Sequence, residues 1–197
     1  PWTLAGNSAL AVGNNISYVK VATFNPYTFE PIKVIAAKDR VNYLFNQKAA
    51  DIKLADYQPG DKLIPFEIIA EMKGKELVGT KYEQLLPYVA PTGDAFRVID
   101  GDFVTTEDGT GIVHISPTFG ADDFRAAKRA SIGAILVKDE EGKNAPIVDK
   151  RGRYVKEMGE FAGMYVKNEY YGDDAPEKSL DVQIAIKIKE EIREFKV

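Results

Sequence analysis

The chain has 197 residues, of which 45% are hydrophobic, 11% aromatic and 28% charged, a composition typical of a globular protein that excludes disorder over the whole chain. It contains no cysteine and one histidine, which excludes disulfides, thiol nucleophiles and any metal centre built from cysteines or several imidazoles. Its net charge of −4 lacks the basic excess of domains that hold nucleic acid by themselves, so we expect another part of a larger assembly to grip any nucleic acid.

The first fifty residues predict a hairpin followed by a helix. Residues 16–24 are rich in β-branched and aromatic side chains, a turn signal follows at Asn25-Pro26-Tyr27, and residues 32–36 alternate in polarity. This pattern is typical of two paired strands. Residues 39–50 change to a helical period, so we predict a helix there with Asp39 as its N-cap.

The middle of the chain predicts further short strands. Residues 66–71 alternate in polarity, and Lys73-Gly74-Lys75 indicates a tight turn into residues 77–79, which together predict a second hairpin. Runs of β-formers separated by Asp-Gly turns predict additional strands at residues 95–99, 103–106 and 111–115, and a further strand is predicted at 135–137.

Two helices are predicted in the second half. Residues 122–130 begin with acidic side chains, which favour the positive end of a helix. Residues 179–195 carry apolar side chains at steps of three and four, which favours a helix over a strand. The sum predicts a β-rich α+β fold, a distorted β-barrel with about three peripheral helices, in a single domain over residues 1–197. Both ends of the sequence are interpreted as points of excision from a longer chain.

The densest group of chemistry-bearing residues lies in residues 109–124. His114 is predicted where a strand gives way to a loop, and Asp123 lies nine residues later on the first helical turn. The loop between them can fold both side chains over one pocket. An imidazole facing a carboxylate suits a small cationic ligand such as an α-amino group.

The same residues have simpler interpretations, which the sequence pattern leaves open. His114 fits a core histidine, and Asp122-Asp123 fits a helix N-terminus stabilised by acidic side chains. Gly109 and Gly111 fit turn residues. The glycines do not open a Rossmann helix, and Ser116 has no second histidine to activate it, so we reject a dinucleotide site and a serine triad.

Taken together, several segments resemble a known family. Pro1-Trp2-Thr3-Leu4-Ala5-Gly6-Asn7 resembles the opening of the editing domain of isoleucyl-tRNA synthetase, a class I aminoacyl-tRNA synthetase. The segment from Gly109-Thr110-Gly111 through His114 to Asp122-Asp123 is similar to the family's most specific motif, which the valyl and leucyl enzymes share. Leu77-Val78-Gly79-Thr80-Lys81-Tyr82-Glu83 and Ser179-Leu180-Asp181 also match, so the resemblance covers essentially the whole chain.

The resemblance implies an editing domain inserted in the Rossmann catalytic domain of a synthetase. Its expected reaction is post-transfer editing, in which water hydrolyses the ester of valyl-tRNA that carries the isoleucine anticodon. Asp123 would hold the substrate α-amino group, and His114 would line the amino-acid pocket and exclude the larger side chain. Asn7 would contribute to the editing site, with Thr3 and Trp2 beside it in supporting roles.

The resemblance also sets expectations for partners and cofactors. The partners would be the acceptor end of the tRNA for isoleucine, its valine moiety and the rest of the synthetase chain, in the cytoplasm. The domain itself would use no metal or other cofactor, since ATP, and zinc where it occurs, belong to the rest of the enzyme. Apolar runs far shorter than the ~20 residues that cross a bilayer argue against a membrane partner.

Two departures from the family pattern bear on activity. Ala5 stands where the family usually has proline, and a threonine-rich stretch that normally precedes the opening proline is not in this sequence. Those threonines help build the pocket, so the isolated fragment is expected to bind substrate poorly or to lack activity.

Two other classes of function remain as alternatives to a hydrolase. One is a catalytically incompetent module that only docks tRNA, and the other is a free-standing structural domain. The net charge of −4 argues against docking. Arg125, Lys128 and Arg129 form one small basic face that is typical of a solvated helix surface.

Overall fold

The computed structural model describes residues 1–191 and residue 195, and it divides into two compact units. Unit 1 contains residues 1–10, 81–97 and 114–191. Unit 2 contains residues 11–80, 98–113 and Phe195. All the predicted site residues belong to unit 1, and the prediction of a single domain stays a prediction.

Within the described residues, eight strands form three small sheets with open edges. The α+β class is confirmed, but a barrel is not. The first sheet has the order β5-β1-β6, the second β3-β2-β4 and the third β7-β8. The strands are β1 (Ala9–Val12), β2 (Ser17–Phe24), β3 (Pro31–Ala37), β4 (Glu67–Lys73), β5 (Arg97–Asp100), β6 (Val113–Ile115), β7 (Leu136–Lys138) and β8 (Asn144–Pro146).

The predicted first hairpin is confirmed, whereas the second is wrong. Strands β2 and β3 pair antiparallel, with Val21 opposite Val34. Strand β4 pairs with the other edge of β2 instead of turning back on residues 77–79. The chain cannot reverse tightly after β4 because Glu76 Oε2 accepts a 2.6 Å hydrogen bond from the Lys73 backbone N–H and starts a helical turn there. Phe103, at the start of another predicted strand, is in a turn.

The helix predicted over 122–130 is confirmed, the one predicted over 179–195 is confirmed as far as Glu190, and the first is reduced to a single turn. The α-helices are α1 (Val41–Leu44), α2 (Gly74–Leu77), α3 (Ala121–Arg129) and α4 (Leu180–Glu190). The helix predicted from Asp39 breaks at Phe45, which is extended, and Asn46 then caps a separate turn by accepting a 3.1 Å bond from the Lys48 N–H. Arg40, not Asp39, is the N-cap of α1. The 3₁₀ turns are Trp2–Gly6, Lys38–Arg40, Gln47–Ala49, Leu54–Asp56, Lys156–Phe161 and Asn168–Asp174.

The hydrophobic core of unit 1 holds the elements that carry the predicted site. Leu180, Ile184 and Ile188 of α4 pack in it with Ala5 of the first 3₁₀ turn. Ser179 caps α4 by accepting a 3.3 Å bond from the Val182 N–H. Residues 192–194 of the helix predicted over 179–195 lie outside the described residues. Within the described part of the chain, no helix has both the length and the hydropathy needed to cross a bilayer.

Candidate functional site

The site begins with the opening segment, which we define as residues 2–7. A 3₁₀ turn over Trp2–Gly6 is closed by a 3.1 Å bond from the Asn7 N–H to the Leu4 carbonyl. Asp181 of α4 accepts a 2.7 Å bond from the Trp2 N–H, and the Tyr154 hydroxyl donates to the Trp2 carbonyl. The backbone of Trp2 is therefore held on both sides.

Asn7 ends the opening segment and is only 7% exposed. Its Nδ2 donates to the Ala9 carbonyl at 2.9 Å, and its Oδ1 accepts from the Tyr82 hydroxyl at 2.6 Å. Both ends of the amide thus have partners within unit 1, which fixes the orientation of the side chain.

The opening segment lies against the second part of the site, which we call the loop–helix segment (residues 114–123). Next to Asn7, the Ser8 N–H donates to the Ile115 carbonyl of β6 at 2.9 Å. A Cβ on Gly6 would stand 2.4 Å from Ser116 Oγ and 2.7 Å from the Phe119 ring, so only glycine allows this close approach. The Trp2 and Phe119 rings meet edge to face with centroids 4.9 Å apart.

His114 lies in the middle of β6 and is half-buried. Its Nε2 is 3.4 Å from Thr3 Oγ1, whereas its buried Nδ1 has no partner among the described residues. Burial lowers the pKa of His114, and the negative charge of Asp123 opposes that shift only in part. The imidazole is therefore neutral at pH 7, and it presents bulk and a hydrogen-bonding nitrogen rather than a positive charge.

Asp123 lies in the first turn of α3, but its side chain does not cap the helix. Gly120 is the N-cap, and Asp123 Oδ2 reaches back to accept a 2.8 Å bond from the Ser116 N–H. The carboxylate is half-buried and turned towards the loop that follows His114. The neighbouring Asp122 is exposed and pairs with Arg125 instead, so the two adjacent acids have different surroundings.

Unit 1 therefore brings together the residues that the sequence predicted. Thr3 contacts His114, and Asp123 contacts the backbone of Ser116. Asn7 directly precedes Ser8, whose N–H donates to the Ile115 carbonyl. Trp2 contributes its ring to Phe119 and its backbone to the hydrogen bonds already described. Their catalytic and binding roles stay predictions, as does the expectation of no cofactor.

An open cleft of about 590 Å³ lies over the loop between β6 and α3. Residues 117–121, Phe124 and Arg125 form its walls, while His114 and Asp123 do not line it. Among the described residues, no cluster of three or more histidine, aspartate or glutamate side chains could hold a metal ion.

Sequence reasoning missed three side chains that hold the site: Tyr82, Tyr154 and Asp181. Their partners lie 75, 152 and 179 residues away in the sequence, so no local pattern connects them. Tyr82 and Asp181 belong to segments that match the family, and that match is the only signal that singled out their positions.

Comparison with known proteins shows a strong similarity to isoleucine–tRNA ligases. An isoleucine–tRNA ligase from Cytophaga hutchinsonii is 57% identical over 208 aligned residues, which cover 100% of this chain and 19% of that protein. The relative from Bacteroides fragilis is 48% identical over 214 aligned residues, with 100% and 19% coverage. Over its whole length, the chain is similar to one segment of these isoleucine–tRNA ligases. It spans about one fifth of the length of the curated ligases it matches.

The resemblance to isoleucyl-tRNA synthetase, the other name of isoleucine–tRNA ligase, is thereby confirmed. No protein-family model matches the chain. Among solved structures, a P. knowlesi cytosolic leucyl-tRNA synthetase editing domain has 16% identity and a TM-score of 0.42, covering 66% of this chain and 48% of that one. That likeness is too low to support an argument.

Proposed function

We propose that this chain is the editing segment of an isoleucine–tRNA ligase. It hydrolyses the ester of valine mischarged to the tRNA for isoleucine, in the cytoplasm and as part of the longer ligase. The observation that carries the proposal is the match of this whole chain to a segment of an isoleucine–tRNA ligase at 57% identity. The grouping of Thr3, His114 and Asp123 within one unit supports it.

In the proposed reaction, a water molecule adds to the ester carbonyl of valyl-tRNA. The bond from the carbonyl carbon to the ribose oxygen then breaks, and the ribose oxygen takes a proton, which releases valine and uncharged tRNA. The partners are the acceptor end of the tRNA and the rest of the ligase, which binds ATP. No cofactor is assigned to this segment.

Asp123 is proposed to bind the α-ammonium group of the valine moiety. The Ser116 N–H holds Oδ2 at 2.8 Å, which sets the direction of the carboxylate and leaves Oδ1 to accept from the substrate. A hydrogen bond between charged groups contributes about 1.5–3 kcal/mol. Partial burial of Asp123 strengthens this contact because it reduces screening by water.

His114 is proposed to exclude isoleucine by its bulk. A neutral, half-buried imidazole held near Thr3 is a suitable wall for an aliphatic pocket, since it carries no charge that an apolar side chain would desolvate. A methylene group contributes only about 1–3 kcal/mol to binding, a figure for which this ligase family is itself the standard example. A second pocket that admits valine and excludes the larger isoleucine side chain discriminates in the opposite direction from the pocket that first binds the amino acid.

The test of this proposal is hydrolysis of valyl-tRNA by the full-length ligase carrying Asp123→Ala. Loss of the charged hydrogen bond should slow hydrolysis by about 10- to 150-fold. Asp122→Ala is the matched control, because it removes an exposed acid from the same helical turn and should leave the rate near wild type. Equal rates for the wild type and Asp123→Ala would remove the proposed role of the carboxylate.

A second measurement tests the size filter. His114→Ala should allow the ligase to hydrolyse isoleucyl-tRNA, while hydrolysis of valyl-tRNA is retained. Unchanged rejection of isoleucyl-tRNA by this variant would show that His114 does not set the size of the pocket. A wild-type ligase that binds tRNA through this segment without hydrolysing valyl-tRNA would instead indicate the docking module.

A further inference from the structure

Tyr82 has no role in the proposed reaction, yet its hydroxyl is held in a closely defined position. Its backbone N–H donates to the Phe96 carbonyl at 2.8 Å, and its ring packs edge to face on Phe96 with centroids 5.9 Å apart. Burial raises the pKa of Tyr82 well above its usual range, although the bond to Asn7 opposes that shift. The phenol is therefore protonated at every physiological pH.

The hydrogen bonds around Asn7 determine which atom donates and which accepts. The Ala9 carbonyl can only accept, so the atom 2.9 Å from it must be the nitrogen of the Asn7 amide. The oxygen must then face Tyr82 at 2.6 Å, and the Tyr82 hydroxyl must be the donor. An inverted amide would set two oxygens against each other at Ala9.

We infer that Tyr82 is a positioning residue for the editing reaction and acts through Asn7, an inference that rests on the proposed function. Asn7 is 7% exposed, so water cannot easily replace the hydroxyl as a donor to Oδ1. The bond from Tyr82 to Oδ1 and the bond from Nδ2 to the Ala9 carbonyl together fix the orientation of the amide.

The test measures kcat and KM for hydrolysis of valyl-tRNA by the full-length ligase carrying Tyr82→Phe. The phenylalanine ring keeps the contact with Phe96 and removes only the donor. Because misplacing a group in an active site impairs the chemical step, we expect kcat to fall roughly tenfold to hundredfold while KM changes by less than about twofold. Charging of tRNA with isoleucine, measured in the same preparation, should stay at the wild-type rate.

The matched control is Tyr57→Phe, which removes a buried hydroxyl that has no partner among the described residues. Tyr57 belongs to unit 2 and stacks on Phe24, whereas every residue assigned to editing belongs to unit 1. We expect this variant to hydrolyse valyl-tRNA at the wild-type rate. An equal loss in both variants would attribute the effect to removal of a phenol in general and would overturn the inference.

A double-variant comparison separates positioning from packing. If Tyr82 acts through Asn7, the combined Tyr82→Phe and Asn7→Ala variant should have the same kcat as Asn7→Ala alone. Losses that multiply in the double variant would mean that Tyr82 acts independently of Asn7, which contradicts the inference. A purely structural role would lower the free energy of unfolding and change KM together with kcat.

Two further measurements cover a variant that fails to fold and a ligase that does not edit. If Tyr82→Phe does not fold, para-fluorophenylalanine at position 82 fills the space of the hydroxyl without donating, and the same loss of kcat is expected. Wild-type and Asp123→Ala ligases are measured alongside. If the wild type hydrolyses valyl-tRNA and neither Tyr82 variant differs from it, the inference about Tyr82 alone is wrong, whereas a wild type without hydrolysis contradicts the proposed function itself.

Discussion

The opening segment and the loop–helix segment lie side by side in unit 1 but differ in how their polar groups are paired. In the opening segment, Trp2 is held through both its N–H and its carbonyl, and both ends of the Asn7 amide have partners. In the loop–helix segment, three buried polar atoms have no partner among the described residues: His114 Nδ1, Ser116 Oγ and Thr118 Oγ1. The opening segment is therefore the part of the site whose polar groups are the more fully paired within the protein.

Unpartnered buried polar atoms reduce stability, and native proteins keep few of them. Where several adjoin one candidate site, a ligand or an ordered water is the natural source of the missing partners. Ser8 Oγ, which directly follows the opening segment and is also unpartnered, lies beside the same strand. The two segments thus differ in how many of their buried polar atoms have partners within the protein.

The largest expected effect comes from breaking the contact between the two segments with Gly6→Ala. The new Cβ would stand 2.4 Å from Ser116 Oγ and 2.7 Å from the Phe119 ring, so one segment must move. We expect a loss of about 1–3 kcal/mol in the free energy of unfolding, measured by urea denaturation. Gly93→Ala is the control, because its Cβ would meet its nearest neighbour at an ordinary 3.6 Å; equal losses in the two variants would contradict the close contact.

A smaller loss in the free energy of unfolding is expected from Asp181→Ala, which removes the acceptor of the Trp2 N–H in the opening segment. The 2.7 Å bond to a carboxylate should contribute roughly 1–2 kcal/mol to stability. Asp122→Ala removes an acid from the first turn of another helix, where it makes only an exposed ion pair, so its loss should stay below about 1 kcal/mol. If urea denaturation gives the same value for both, the Trp2 backbone does not depend on Asp181.

The sequence predicts the elements of this fold that depend on local patterns and misses those that depend on long-range contacts. The β2–β3 hairpin and helices α3 and α4 follow from local patterns, and His114 and Asp123 are close enough in sequence for one loop to join them. Strand β4 pairs with β2. The alternation of polar and apolar residues in β4 predicts a strand but does not indicate which strand it pairs with. The roles of Asn7 and Thr3 come from the family resemblance alone, since nothing in their spacing marks them.

The helix predicted over residues 39–50 fails for a physical reason that the apolar period hides. Asn46 uses its side chain to cap a new turn, which competes with continuation of the helix. Likewise, the contacts of Tyr82 and Asp181 with the opening segment join residues far apart in the chain. Local patterns thus predict the loop–helix segment better than they predict the long-range contacts that hold the opening segment.

A weaker effect is expected in the pH dependence of stability, because His114 belongs to the segment with missing partners. Its folded pKa lies below the ordinary value of 6.5, so the unfolded chain binds the proton more readily. Stability should therefore be fully present above that value and fall as the pH drops below it. Because the group is half-exposed, screening by solvent keeps this loss small.

The measurement compares urea denaturation at about pH 7.5 and pH 5.5 for the wild type and His114→Gln, values that bracket the ordinary histidine pKa. His114 is the only histidine, so the variant should lose less stability on acidification than the wild type does. A wild type that loses less than the variant would reverse the sign and indicate a histidine stabilised in its charged form.

The smallest effect should come from Ser116→Ala, which removes a hydroxyl that has no partner to lose. Deleting an unpaired buried Oγ relieves a desolvation penalty while opening a small void, so the two should nearly cancel and leave a change below about 0.5 kcal/mol. Ser179→Ala makes the same chemical change at the N-cap of α4, where Oγ accepts from the Val182 N–H, and should lose about 1 kcal/mol. A loss at Ser116 as large as that at Ser179 would mean that the Ser116 hydroxyl already has a hydrogen-bond partner in the free protein. The contrast in pairing between the loop–helix segment and the opening segment would then be contradicted at this atom.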